Sequence, residues 1–132
     1  MNFKGSILIV DDEPHIRKFV ALIVRTLGIT AVTEAADGED AIARFAADHP
    51  DVVLLDVNMP RIDGLETLRR IKEVDPDAVV IMLTSLANRA SVDRALDLGA
   101  ANYIRKDTPK EEIIRSLAET IDAAFGPGDN QT

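Results

Sequence analysis

ILIVDDEP, residues 7–14, poses the problem that the rest of the sequence has to solve. An unbroken apolar run from Ile7 to Val10 passes directly into Asp11, Asp12 and Glu13. A short run of this kind reads as a strand buried on both faces, as in a parallel sheet. Adjacent carboxylates repel one another, and burial beside a hydrophobic strand raises the cost. Some cationic object is expected where this strand ends.

Four further runs repeat the pattern: AVTEA (31–35), VVLLD (52–56), VVIMLT (79–84) and ANYIRK (101–106). AVTEA alternates and is the weakest, which suits an edge strand. Between the runs, apolar residues recur at helical spacing. Ile16, Phe19, Val20, Ile23 and Leu27 mark a first helix, with Gly28 at its C-terminal cap. Ala41, Ile42 and Phe45 mark a second, and Leu65, Leu68 and Ile71 a third, opened by a capping box of Asp63 and Glu66. Val92, Ala95 and Leu96 mark a fourth, stopped near Gly99. Ile113, Leu117, Ile121 and Phe125 mark a fifth, opened by Thr108-Pro109 with Glu111 completing a second capping box. Regular alternation with right-handed crossovers predicts an α/β fold, a doubly wound parallel sheet of five strands with helices on both faces. The first strand-helix turn has no Gly-rich phosphate fingerprint, which argues against a dinucleotide-binding half. Residues 1–125 form the predicted domain, and the breaker-rich tail at 126–132 is expected to be disordered.

Composition narrows the function classes. The chain has 132 residues, 46% of them hydrophobic and 29% charged, enough for one domain with its own core. It contains no cysteine, so disulfides and thiolate metal sites are excluded and a reducing, cytoplasmic compartment is expected. The net charge of -8 disfavours direct binding to nucleic acid or to an anionic membrane. No apolar run approaches the roughly 20 residues of a membrane span.

In open α/β sheets ligands bind beyond the carboxyl ends of the strands. Those ends carry Asp11 and Asp12, Asp56, Thr84 and Ser85, and Lys106. In the order 2-1-3-4-5, one of the two common doubly wound orders, Asp56 faces the acidic pair across one strand spacing of about 4.8 Å. Three carboxylates so close call for protons or a cation, and hard oxygen donors favour magnesium. Thr84 lies within reach of Asp56 on its other side, and the Lys106 stem spans most of the remaining gap. A carboxylate ringed by a metal, a hydroxyl and an ammonium suits phosphoryl transfer with the carboxylate as nucleophile.

The ordered set DD, DVNMP, TS and YIRK resembles the receiver domain of bacterial two-component response regulators, a flavodoxin-like (βα)5 fold, over residues 5–125. The resemblance implies that Asp56 accepts a phosphoryl group from a phosphohistidine of a sensor histidine kinase or phosphotransfer protein. It implies magnesium ligation by the carboxylates of Asp12 and Asp56 and the backbone carbonyl of Asn58, with Asp11 acting nearby through a water or on Lys106. Lys106 would pair with the carboxylate and then with the phosphoryl oxygens. Thr84 would close on the phosphoryl group and Tyr103 would rotate inward behind it. That movement would reshape the face of helix four, strand five and helix five, the expected contact for a downstream effector or a homodimer. The catalysis so implied is limited to the chain's own phosphorylation and dephosphorylation. The family usually has proline after the lysine, often with a cis bond; here Asp107 follows, and a trans bond is expected. In the family, the residue two positions after the threonine is linked to phosphoryl lifetime; Leu86 there offers no acid or amide to position a hydrolytic water, so the resemblance implies slower self-dephosphorylation.

Each of these residues also has a plainer reading. Asp11 and Asp12 could only cap the first helix, Lys106 could be a surface lysine, and Tyr103 a half-buried edge residue. His15 and His49 read as surface residues, and Arg69, Arg70 and Lys72 as the solvated face of the third helix. A constitutive, non-phosphorylated interaction module of the same fold is the alternative function. An aspartyl-phosphate phosphatase is disfavoured because Asn58 stands where a second acid would be needed.

Overall fold

Val and Ile favour extended backbone, and the apolar runs use it to build the centre of the molecule. The computed structural model describes residues 3–85 and 88–126. The strands are β1 (Ser6–Val10), β2 (Ala31–Ala35), β3 (Val52–Leu55), β4 (Val79–Thr84) and β5 (Asn102–Arg105). They alternate with α1 (Pro14–Thr26), α2 (Gly38–Asp48), α3 (Gly64–Val74), α4 (Arg89–Asp97) and α5 (Lys110–Phe125). All pairings are parallel, as the alternation predicts, and the sheet order is β2-β1-β3-β4-β5, as the resemblance implies.

The period of two along each strand sorts side chains between two cores. Ile7, Ile9, Leu54, Ile81, Leu83 and Ile104 pack against α1 and α5. Leu8, Val10, Val53, Leu55, Val80 and Met82 pack against the other three helices. AVTEA forms an edge strand, mostly exposed, as its alternation predicts.

Local signals in the sequence hold at several ends. Gly28 (φ 85°) and Gly99 (φ 97°) take left-handed conformations one residue past the caps of α1 and α4. The N–H of Gly28 donates to Arg25 and that of Ile29 to Val24, closing a Schellman motif. Asp63 caps α3 by accepting from the Glu66 amide at 2.9 Å. The reciprocal half of that capping box is replaced: Glu66 turns to Arg69 and Arg70, whose bonds hold its carboxyl down to about 2. The Arg69 and Arg70 side chains are thus paired rather than merely solvated, and Lys72 donates to the carbonyls of Pro76 and Ala78.

Other expectations are corrected. The box at the start of α5 does not form, because Pro109 itself holds the N-cap position and makes no side-chain bond. Phe19 is 38% exposed and Leu96 49%, so neither is core. The buried stripe of α1 runs through Val20, Ala21, Ile23 and Val24, a rotation of about one residue from the predicted face. Phe125 is also exposed, although its ring meets Phe3 at 5.0 Å. His15 and His49 are exposed as expected. Among the described residues no peptide bond is cis, including the one after Lys106. The expectations for Leu86 and for 127–132 fall outside the described residues. No described helix is long and apolar enough to cross a membrane.

Neighbours on α1 provide a test of this packing. Ile23→Ala, at a residue 1% exposed, should cost about 2–5 kcal/mol in urea unfolding. Leu22→Ala, at a residue 61% exposed, should change stability by no more than about 0.5 kcal/mol.

Candidate functional site

The three acids predicted to meet do so where β1 and β3 end. Asp11, Asp12 and Asp56 each offer a carboxylate oxygen within 4.8 Å of the others. Asp11 is 3% exposed and Asp56 4%, whereas Asp12 is open to solvent. The helix-cap reading of the acidic pair fails here. The N-cap of α1 is Glu13, it makes no side-chain cap bond, and the first turn carries no acid. Asp11 Oδ1 instead accepts the Glu13 amide at 3.0 Å, which turns the chain from strand to helix.

Lys106 crosses from β5, past β4 and β3, into this cluster. Its Nζ lies 2.6 Å from Asp11 Oδ2 and 3.4 Å from Asp56 Oδ2. The lysine thus reaches further than Asp56, and Asp11 is its tighter partner. One ammonium against three carboxylates leaves a formal excess of two negative charges. That excess, presented on hard oxygens, fits a divalent cation of the magnesium or calcium type. The backbone of Asn58 lies at the same place, its amide donating to Asp56 Oδ1 at 3.4 Å.

The electrostatics follow from burial. Desolvation pushes the Asp56 carboxyl above its ordinary value; Thr84, which hydrogen-bonds it, and Lys106 pull it back, while Asp11 adds to the rise. Burial draws the Lys106 ammonium down, but its bond to Asp11 and the charges of Asp56 and Asp11 prevail and leave it raised. Tyr103 is half-buried against the α2–α4 side of the sheet, in register with Met82. Burial raises its hydroxyl pKa, and the Asp56 charge adds to that. Ser85, at the same rim, is exposed.

Three features beyond the predicted set shape the site. A Cβ on Gly64 would collide with the Asp56 carbonyl oxygen and come within 2.7 Å of Val57 Cα, so only glycine lets α3 start this close to Asp56. Arg61 adopts a left-handed backbone (φ 67°) and its guanidinium holds Asp37 at 2.6 Å, tying the β3–α3 loop to the start of α2. Arg17 donates to the Asp11 carbonyl at 2.7 Å. In the sequence the arginines look like ordinary surface residues, and no periodicity marks them.

The comparisons with known proteins agree with this geometry. The family described as response regulator receiver domain matches residues 7–118. The chain is 42% identical over 126 residues to the probable transcriptional regulator ycf27 of Guillardia theta, covering 92% of this chain and 49% of that protein. It is 31% identical to the chemotaxis protein CheY of Bacillus subtilis, covering 87% of this chain and 96% of that one. The chain spans about half the length of the ycf27 relatives it matches. Among solved structures, the CheX-CheY-BeF3-Mg complex from Borrelia burgdorferi aligns with a TM-score of 0.84 at 31% identity, over 89% of each chain.

The raised Asp56 carboxyl has a consequence for stability. The folded state holds its proton to higher pH than the unfolded chain does, so ionisation at neutral pH costs stability. In metal-free buffer Asp56→Asn should raise the thermal midpoint at pH 7. The gain should shrink as pH falls toward the ordinary carboxylate range. A pH-independent gain would show that charge is not its cause.

Proposed function

The chain belongs to the response regulator receiver family, and on that premise we propose that it is a phosphoacceptor switch in which Asp56 is phosphorylated. One observation carries the reading above the others. A nearly buried carboxylate at a strand end is touched by the Thr84 hydroxyl and approached by the Lys106 ammonium, beside two further acids.

An Asp56 carboxylate oxygen attacks the phosphorus of a donor phosphohistidine. The new P–O bond forms as the P–N bond breaks, and the electron pair leaves with the imidazole nitrogen. Asp12 and Asp56 through carboxylates, and Asn58 through its carbonyl, would hold magnesium, which offsets the charge of the transferred group when bound. The Borrelia relative solved with BeF3 and magnesium supports magnesium as the ion. Asp11 holds Lys106 at the mouth of the site, from which the ammonium pairs with phosphoryl oxygens. Thr84 gives its hydroxyl to a phosphoryl oxygen, releasing Asp56. The aspartyl phosphate carries a charge of about -1.5 to -2 where β3 ends, in place of the single carboxylate charge.

That charge is the signal. Thr84 and Tyr103 face the same side of the sheet as α4, so closure of Thr84 leaves room for Tyr103 to turn inward. The face of α4, β5 and α5 then changes shape for an effector or a second copy. A sensor kinase or phosphotransfer protein supplies the phosphoryl group. The cytoplasm is the compartment in which such partners meet it.

Incubation with acetyl phosphate followed by intact mass measurement tests the reading. Wild type should gain one phosphoryl mass in the presence of magnesium and none with chelator, and Asp56→Asn should gain none. Lys106→Ala and Thr84→Ala should slow the gain by roughly 100- to 1,000-fold, the range for removing one preorganised electrostatic contact. Folded protein that never acquires the mass would favour the constitutive interaction module.

A further inference from the structure

Arg17 lies one turn into α1 and belongs to no part of the phosphoryl chemistry, yet it touches the backbone of the acidic turn. Its Nη1 donates to the Asp11 carbonyl at 2.7 Å and its Nε to Glu34 Oε1 on the edge strand at 2.9 Å. The side chain is only 15% exposed. Every polar group of Asp11 is engaged. Its amide donates to the Ala35 carbonyl, its carbonyl accepts from Arg17, Oδ1 accepts from Glu13 and Oδ2 from Lys106. Asp12, by contrast, is exposed and carries no side-chain bond that ties it down among the described residues. The planar peptide before it contains the Asp12 nitrogen and Cα, so whatever holds the Asp11 carbonyl fixes the point from which the Asp12 side chain starts.

We infer that Arg17 is a positioning residue for metal binding: it clamps the Asp11–Asp12 peptide, anchored through Glu34 on β2, so that Asp12 faces Asp56. The inference rests on the magnesium reading of the site. Charge alone gives Arg17 the opposite effect, because a guanidinium beside a divalent-cation site repels the ion. Geometry and charge therefore predict changes of opposite sign when it is removed. The forked guanidinium serves two acceptors on different elements at once, which a lysine ammonium on a flexible stem does not reproduce.

The test is a magnesium titration of the full chain, followed by backbone amide shifts of Asp12, Glu13 and Asn58, in wild type, Arg17→Ala and Arg17→Lys. Both variants should bind magnesium roughly tenfold more weakly, the usual lower bound for losing an outer-shell partner, with circular dichroism and the urea midpoint reporting the fold separately. Tighter binding by Arg17→Ala with unchanged binding by Arg17→Lys would leave charge as the only role and overturn the inference. Equal affinity in all forms would overturn it as well. If Arg17→Ala does not fold, Arg17→Lys decides by the same criterion. A wild type that shows no saturable magnesium response would instead remove the metal reading on which the inference stands.

Discussion

Three carboxylates at the ends of β1 and β3 cannot share a half-buried rim without compensation, and much of the surrounding structure answers that repulsion. Lys106 supplies one charge from three strands away. The Thr84 hydroxyl and the Asn58 amide supply hydrogen bonds to Asp56. The desolvation of Asp56 still prevails, so the site remains short of positive charge. An excess of acid is costly to a fold at rest, and on the proposed reading it serves to gather a cation and a phosphoryl group.

The same rim explains why the loops around it are unusually constrained. The start of α3 approaches the Asp56 carbonyl so closely that Gly64 tolerates no Cβ. Arg61 accepts a left-handed backbone, a conformation that costs a non-glycine residue on the order of 1 kcal/mol, while its side chain ties the loop to Asp37. On the other flank Arg17 secures the Asp11 carbonyl. Both flanking elements are thus held by an arginine whose charge is also balanced by an acid outside the site, Asp37 in one case and Glu34 in the other. On the proposed phosphoacceptor reading, a backbone pinned on both flanks gives the Thr84 hydroxyl and Tyr103 a fixed frame to move against.

The sequence by itself determined the alternation of strands and helices, since buried parallel strands need continuous Val, Ile and Leu, and their lengths follow from where those runs stop. It also determined which polar residues stand at the strand ends, and with the resemblance to receivers it identified the acids, the threonine and the lysine as one set. Local chemistry fixed the glycine stops of α1 and α4 and the Asp63 cap. It could not fix the rotation of α1, where Phe19 fits the helical period as well as Val24 does and only contact with α5 and the sheet decides between them. Nor could it show that Pro109 displaces Thr108 as the cap of α5.

What tertiary structure alone decided is the pairing of groups far apart in the chain. Lys106 prefers Asp11 to Asp56 because the stem passes over two intervening strands, a path no spacing rule encodes. Arg17 and Arg61 carry no sequence signal, since a charged residue on a helix or loop reads the same whether it faces water or a backbone carbonyl. The reason is physical: periodicity records the burial of apolar surface, which is local and repeated, whereas a hydrogen bond to a distant acceptor depends on a single distance and direction that only the packed chain sets.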